Sequence, residues 1–561
     1  MQVQQIIDSV WSIHGNWQGL ISASSIQRSF GQLAVLFVVY VIQRRTHTLS
    51  KMEVWLKQHR LVVEQVTGWQ VGEKEATDDR LGILMESLGA EEAAGYQMQR
   101  QLSQRQIQAY ALPKQVLRYD TSSFSVYHAP PKAGEAAHEV LRFGYSKDRR
   151  PDLLQFKQGL ATLDPAGLPL FTQTLPGEVA DDGLYIPVWQ EMVATLGSPD
   201  FLFVADCKAA SQETRATIAK AQGRYLFPLP LTGDTPAWLQ AQVAQHPSET
   251  IFLPTVLDER GHPKQYGQGF VVERSQEYVW PDGTRTAWRE QCFVTRSDAH
   301  AQRKQRALRE RLQRTAQALH GLRPKSDEQA AQFAHRAQQV LVAHQTTAYF
   351  QVTVEEAWHE QKRYLRRGRP GPHTPFEIQT VCHLTLRVER QNDAIAQAEQ
   401  MAGWRVYVTN ASAPEMNLTQ AIAYYRDEWQ VEHGFHRFKG GSLPALPLAI
   451  RLPERIRGLM LLLFVALQAL TLIEFVSRRT LAQEQTPLAG LFPGNPKRQT
   501  SRPTAEQLLA VFEYLHLIVE PHETPRRCYL NEPLSKLQVR VLDLLQLSPD
   551  IYRFGKVLAP P

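Results

Sequence analysis

The sequence predicts an α/β protein: a mixed sheet with flanking helices, interrupted by an inserted subdomain and framed by helical N-terminal and C-terminal regions. Three observations carry this. Between residues 113 and 225, short runs of β-branched and aromatic residues alternate with helical segments. A stretch from 226 to 400 then breaks that alternation with a hairpin signal and a long basic helix. The strand–helix pattern returns at 401–480. A chain of 561 residues is long enough for several domains and a sizeable core.

Residues 1–112 read as mostly helical, with an apolar segment at Leu33–Ile42 and a Gln-rich polar stretch at Gln97–Gln108. Pro113 breaks the pattern, and a strand starts at Val116–Tyr119. Val140–Phe143, Pro169–Thr174 and Phe201–Ala205 are the next strand candidates; Ile186–Leu196 and Gln212–Gln222 read as helices. In the inserted region, Asp282-Gly283 marks a hairpin turn. Ala299–Leu322 follows as one helix carrying Arg303, Lys304, Arg306, Arg309, Arg311 and Arg314, either a solvated face or a row able to follow phosphates. Arg363–Arg369 reads as an exposed basic loop. Val406–Thr409 is a strand, and residues 417–439 form a helix that Asn417 or Thr419 can cap and Gly440-Gly441 ends. The region 481–561 is Pro-rich and basic at first, then carries helices at Glu506–Leu515 and Leu534–Leu547.

Gly458–Val476 approaches the length that spans a bilayer. Gln468, Thr471 and Glu474 within it favour a buried core helix, and Leu33–Ile42 is too short to span. The N-terminus carries no signal-peptide pattern. The four cysteines, Cys207, Cys292, Cys382 and Cys528, are far apart, which argues against a zinc knuckle or disulfide framework and for a reducing cytoplasm. A formal net charge of +6 is compatible with a nucleic-acid partner but does not require one.

The chemistry concentrates in three places. Asp120 follows Val-Leu-Arg-Tyr, and Asp206 follows Phe-Leu-Phe-Val-Ala, each ending or interrupting an apolar run. Residues 424–439, read as one helix, put Tyr425, Glu428, Glu432 and Lys439 along one stripe. Carboxylates on three separate elements are the minimum for a two-metal phosphoryl-transfer site. Taken singly, Asp120 and Asp206 could cap turns, Glu432 could pair with Arg437 or Lys439 at little gain, and Tyr425 and Trp429 could be core.

These segments together resemble the DDE transposases of bacterial insertion sequences, in the branch marked by spaced Tyr, Arg, Glu and Lys. Tyr425, Glu432 and Lys439 fit that spacing; Glu428 stands where the pattern has Arg, with Arg426 and Arg437 close by. The resemblance extends to 119–124, to the Gly-Tyr-Ser-Lys-Asp-Arg-Arg-Pro-Asp-Leu run at 144–153, to Val204-Ala205-Asp206 and to 404–410, with a weaker match at 78–81. It spans residues 75–475 and implies a ribonuclease H-like core. It implies Asp120, Asp206 and Glu432 as catalytic metal ligands for Mg2+ or Mn2+, in keeping with hard oxygen donors. It implies DNA contacts by Tyr425 and Lys439; Arg426, Arg437, Lys147, Arg149 and Arg150 are further candidates. The partners it implies are double-stranded DNA, as terminal inverted repeats and target, and a second copy of the chain in a homodimer on paired ends. No membrane is expected. Glu428 brings negative charge toward DNA, which leaves a catalytically inactive, transposase-derived DNA-binding protein as the alternative.

Overall fold

A computed structural model describes residues 27–72, 74–132, 136–257, 262–326, 328–365, 368–520 and 527–552. The N-terminal reading for a signal peptide, and Arg366 and Arg367 of the basic loop, lie outside the described residues. The chain opens with four helices: α1 (Gln27–Arg44), α2 (Leu49–Thr67), α3 (Asp78–Gly89) and α4 (Glu92–Tyr110). Next come β1 (Val116–Val126), β2 (Leu154–Leu163), β3 (Leu168–Pro176), α5 (Tyr185–Leu196), β4 (Leu202–Ala205), α6 (Gln212–Lys220) and β5 (Arg224–Pro228). Then follow α7 (Thr235–Gln245), β6 (Glu249–Leu257), β7 (Pro263–Val279), β8 (Arg285–Ser297), α8 (Asp298–Gly321), α9 (Ala330–Ala343), β9 (Phe350–Tyr364), β10 (Phe376–Arg390) and α10 (Asn392–Met401). The last part holds β11 (Trp404–Thr409), α11 (Leu418–Arg426), α12 (Trp429–Lys439), α13 (Pro453–Glu484), α14 (Ala505–Ala510) and α15 (Lys536–Leu544), with two short strand pairs around α14.

One nine-stranded mixed sheet organises the molecule, in the order β3-β2-β1-β4-β5-β11-β8-β7-β6. β1, β2 and β3 are antiparallel; β4 and β5 continue parallel to β1; the remaining pairings are antiparallel. The region expected as one inserted subdomain divides in two. β6, β7 and β8 join the main sheet, because all of β11 pairs with residues 291–296 of β8. The rest, α8 to α10 with the β9–β10 ribbon, closes a small separate core around Leu312, Phe350 and Leu341. Val140–Phe143, expected as a strand, makes only an isolated bridge between Arg142 and Gln155.

The mostly buried helix α13 runs between the N-terminal helices and the sheet. It packs on α3 so closely that a Cβ at Gly458 would lie 1.9 Å from the Met85 carbonyl oxygen, so only glycine permits the approach. Among the described residues it is the one helix long and apolar enough to cross a membrane, and 89% of its most apolar stretch is buried. Its apolar surface is therefore used inside the protein, where removing it from water stabilises the fold.

The segment expected as one helix over 417–439 is two. Asn417 caps α11, its side chain accepting from the Gln420 amide in a reciprocal capping box. The helix then breaks at Asp427-Glu428. In a continuous helix the Tyr424 carbonyl would accept from the Glu428 amide. Here the buried guanidinium of Arg118 on β1 donates to that carbonyl at 2.6 Å, and the Glu428 amide turns to Tyr425 O at 3.3 Å. Asp164 holds the same guanidinium at 2.6 and 2.9 Å.

Candidate functional site

Parallel pairing of β1 with β4 sets Tyr119 against Ala205. Asp120 and Asp206 are the next residues, so they stand side by side where β4 ends. The Asp206 carboxylate caps the following turn, accepting from the Lys208 amide at 3.0 Å and from the Tyr185 hydroxyl at 2.5 Å. Asp120 accepts from the Thr121 amide at 2.7 Å, with the Lys147 ammonium 3.4 Å away. Lys147 also donates to the Thr121 carbonyl at 2.5 Å and hydroxyl at 3.0 Å and lies 3.8 Å from Asp181. Burial raises the Asp120 carboxyl above its ordinary range; Lys147 pulls it back, and Asp206 adds to the rise.

The helix break brings a third carboxylate in. Glu428 is half-buried at the start of α12, and it is pushed up to about 7 by burial, then by the charges of Asp120, Glu432 and Asp206. The Tyr425 hydroxyl opposes that rise. Glu432, four residues on, is exposed at the same helix start. Both acids thus stand at the N-terminal turn of α12, where the helix dipole favours negative charge. After burial, the charge of Asp120 is the largest influence on Glu428.

The basic residues divide into several groups. Lys439 pairs with Asp148 at 2.7 Å and lies over the Phe124 ring at 5.4 Å, which docks the 144–153 loop against the end of α12. Arg149 is exposed in that loop with φ 58°, and Arg150 pairs with Asp152 at 2.7 Å. Tyr425 packs its ring 4.7 Å from Tyr407 of β11, and Arg426 is exposed over the Tyr266 ring at 5.9 Å. Arg437 does not fit its expected role. It is 3% exposed and held by Glu474 and Glu506, tying α12 to α13 and α14; no part of its guanidinium is presented to a DNA backbone.

Sequence reasoning missed three contributors. Asp181 accepts from Lys157 at 2.8 Å and anchors Lys147; Tyr185 holds Asp206; Arg118 makes the break that turns Glu428 inward. None sits in a local motif that marks it. Among the described residues, no group of three or more His, Cys, Asp or Glu is preassembled around a metal position. The donors nevertheless suit a hard divalent cation. They are carboxylate oxygens with mutually repelling charges, and among the described residues Lys147 is the cation bonded to Asp120. No protein-family model matches the chain, and no curated protein matches it.

Proposed function

We propose that the chain is a DNA transposase with a ribonuclease H-like catalytic core, cleaving the ends of its insertion sequence and joining them to target DNA. The observation that carries this reading is the adjacency of Asp120 and Asp206 on paired parallel strands, with an acid-bearing helix start charge-coupled to both. The β3-β2-β1-β4-β5 half of the sheet, three strands antiparallel and then two parallel, supports the ribonuclease H-like assignment.

Asp120, Asp206 and Glu432 would hold magnesium or manganese, with Glu428 the competing helix carboxylate. Bound there, the metal would activate water or a 3′-hydroxyl and stabilise the leaving 3′-oxygen. The protein's own residues orient the site. Tyr185 and the Lys208 amide fix the Asp206 rotamer, and Lys147 fixes Asp120 against Thr121. Lys439 and the exposed Arg149 supply cations for phosphate beside the carboxylates. The substrates are the terminal inverted repeats and target DNA, bound by a homodimer in the cytoplasm.

Asp120→Asn, Asp206→Asn and Glu432→Gln should each lower magnesium-dependent cleavage of an end-bearing duplex by roughly a thousandfold or more while leaving duplex affinity within about threefold. Wild-type nicking by any one removes that residue from the site. An inactive Glu428→Gln beside an active Glu432→Gln assigns the third ligand to Glu428. A second reading, the catalytically inactive DNA-binding descendant, is favoured by Glu428 at the Arg position. A duplex shift with no magnesium-dependent product from the wild-type chain selects it.

A further inference from the structure

The signature helix and the basic helix α8 lie far apart in the chain, yet a run of packed residues links them, with Arg405 exposed along it. A Cβ on Gly403 (φ +87°) would meet Ala301 at 2.7 Å, so the first turns of α8 sit directly against the start of β11. Arg405 follows on β11, exposed, two residues before Tyr407 and therefore on the same strand face. Tyr407 in turn packs on Tyr425, at the end of the helix that leads into Glu428. Arg405 acts on both ends of this run: its charge bears on Tyr425 and on the His300 ring in the first turn of α8. The His300 ring is held below its ordinary range by burial, then by Arg405, Lys304 and Arg303.

The apolar stripe of α8 (Ala301, Leu308, Leu312, Thr315, Leu319) is buried, which leaves Arg303 and Lys304 outside. Neither has an acidic partner among the described residues. Further along, Arg309 is paired with Glu399 at 2.8 Å and Glu310 interrupts the outer row, so Arg303 and Lys304 are the exposed cations of α8 that stand nearest the start of β11. Unpaired surface cations crowded together repel one another and gain when a polyanion displaces their counterions.

We propose that Arg405, Arg303 and Lys304 form a phosphate track that carries duplex DNA away from the carboxylate cluster and onto the N-terminal half of α8. This rests on the transposase reading for the identity of the polyanion, and it adds a contact surface outside the catalytic strands. Backbone contacts of this kind are independent of base sequence and strongly salt-dependent.

The test is binding of a generic duplex to the full chain in EDTA, followed by fluorescence anisotropy across a potassium chloride series. Arg303→Glu/Lys304→Glu/Arg405→Glu should weaken binding on the order of 10–100-fold near 0.15 M salt and flatten the log–log salt slope by about 3. The double variant R303E/K304E leaves β11 intact and should show about two-thirds of that change in slope should the triple variant fail to fold. Lys362→Glu/Arg363→Glu on the β9–β10 ribbon is the comparison and should change binding little. Wild-type affinity in the α8 variants, or a loss confined to the ribbon variant, overturns the track. A wild-type chain with no duplex affinity sinks both the track and the transposase reading. A chain that binds through α8 but never cleaves keeps the track and removes the enzyme.

Discussion

Two acidic centres, one buried within the sheet and one half-buried where β4 ends, are treated in opposite ways. Glu290 on β8 is 1% exposed, yet Arg215 at 2.5 Å, Arg274 at 2.8 Å and the Tyr225 hydroxyl surround it. Burial pushes its carboxyl up, but the two guanidinium groups outweigh that and hold it below the ordinary range. At the β1–β4 end, Asp120, Asp206 and Glu428 crowd together with Lys147 as the ammonium on Asp120, and Glu428 is driven up to about 7. The first centre is complete with resident cations. The second is short of positive charge, the condition expected where an external cation completes the site.

The sharpest way to break this contrast is to remove a resident cation. Arg215→Ala strands Glu290 in the interior and should destabilise the chain by about 3–5 kcal/mol in urea unfolding. An effect near zero would mean that Glu290 is not held by that pair. Next in size is metal. Magnesium at about 100 times its dissociation constant should stabilise the wild-type chain by about 2.7 kcal/mol in thermal unfolding. Asp120→Asn and Asp206→Asn should lose that gain, whereas Arg274→Ala, at the completed centre, should keep it.

The two kinds of centre also carry opposite pH signatures. Glu428 has a folded pKa of about 7 against an ordinary 4.5, so the folded state binds the extra proton. Its stabilising contribution is present below 4.5 and is lost as pH rises toward 7, by about 2 kcal/mol after allowance for its partial exposure. In metal-free buffer, Glu428→Gln should flatten that limb of a stability–pH curve. Glu506 is the reverse case. Its carboxyl is held down to about 2: burial pushes it up, but the hydrogen bond and charge of Arg437 prevail. Its contribution is present above 4.5 and is lost as pH falls through about 2. Glu506→Gln should remove on the order of 1 kcal/mol from the acid limb, discounted for partial exposure.

How much of this the sequence disclosed depends on how local each cause is. β1, β4, α5 and α6 were legible because their apolar runs and turn residues lie within the element itself. β2 was not, since Gln155, Lys157, Gln158 and Gly159 interrupt its apolar pattern and are satisfied only by distant partners. Gly159 is needed because a Cβ there would lie 2.5 Å from the Tyr119 hydroxyl, an approach that no single segment discloses. Asp120 and Asp206 could be singled out because each closes a short apolar run in the sequence, although the strand continues past Asp120 to Val126. The inward turn of Glu428 could not, because its cause is Arg118, 306 positions before Tyr424. The same distance hid the burial of Arg437, whose partners Glu474 and Glu506 lie on elements that local periodicity does not bring together.

That link between Arg118 and Tyr424 also has a consequence for synthesis. A nascent chain displays both aspartates more than two hundred residues before the segment that turns the third acid toward them has been translated. The pocket can close only late, and a product cut short ahead of Tyr424 would carry two of its acids with nothing to complete them.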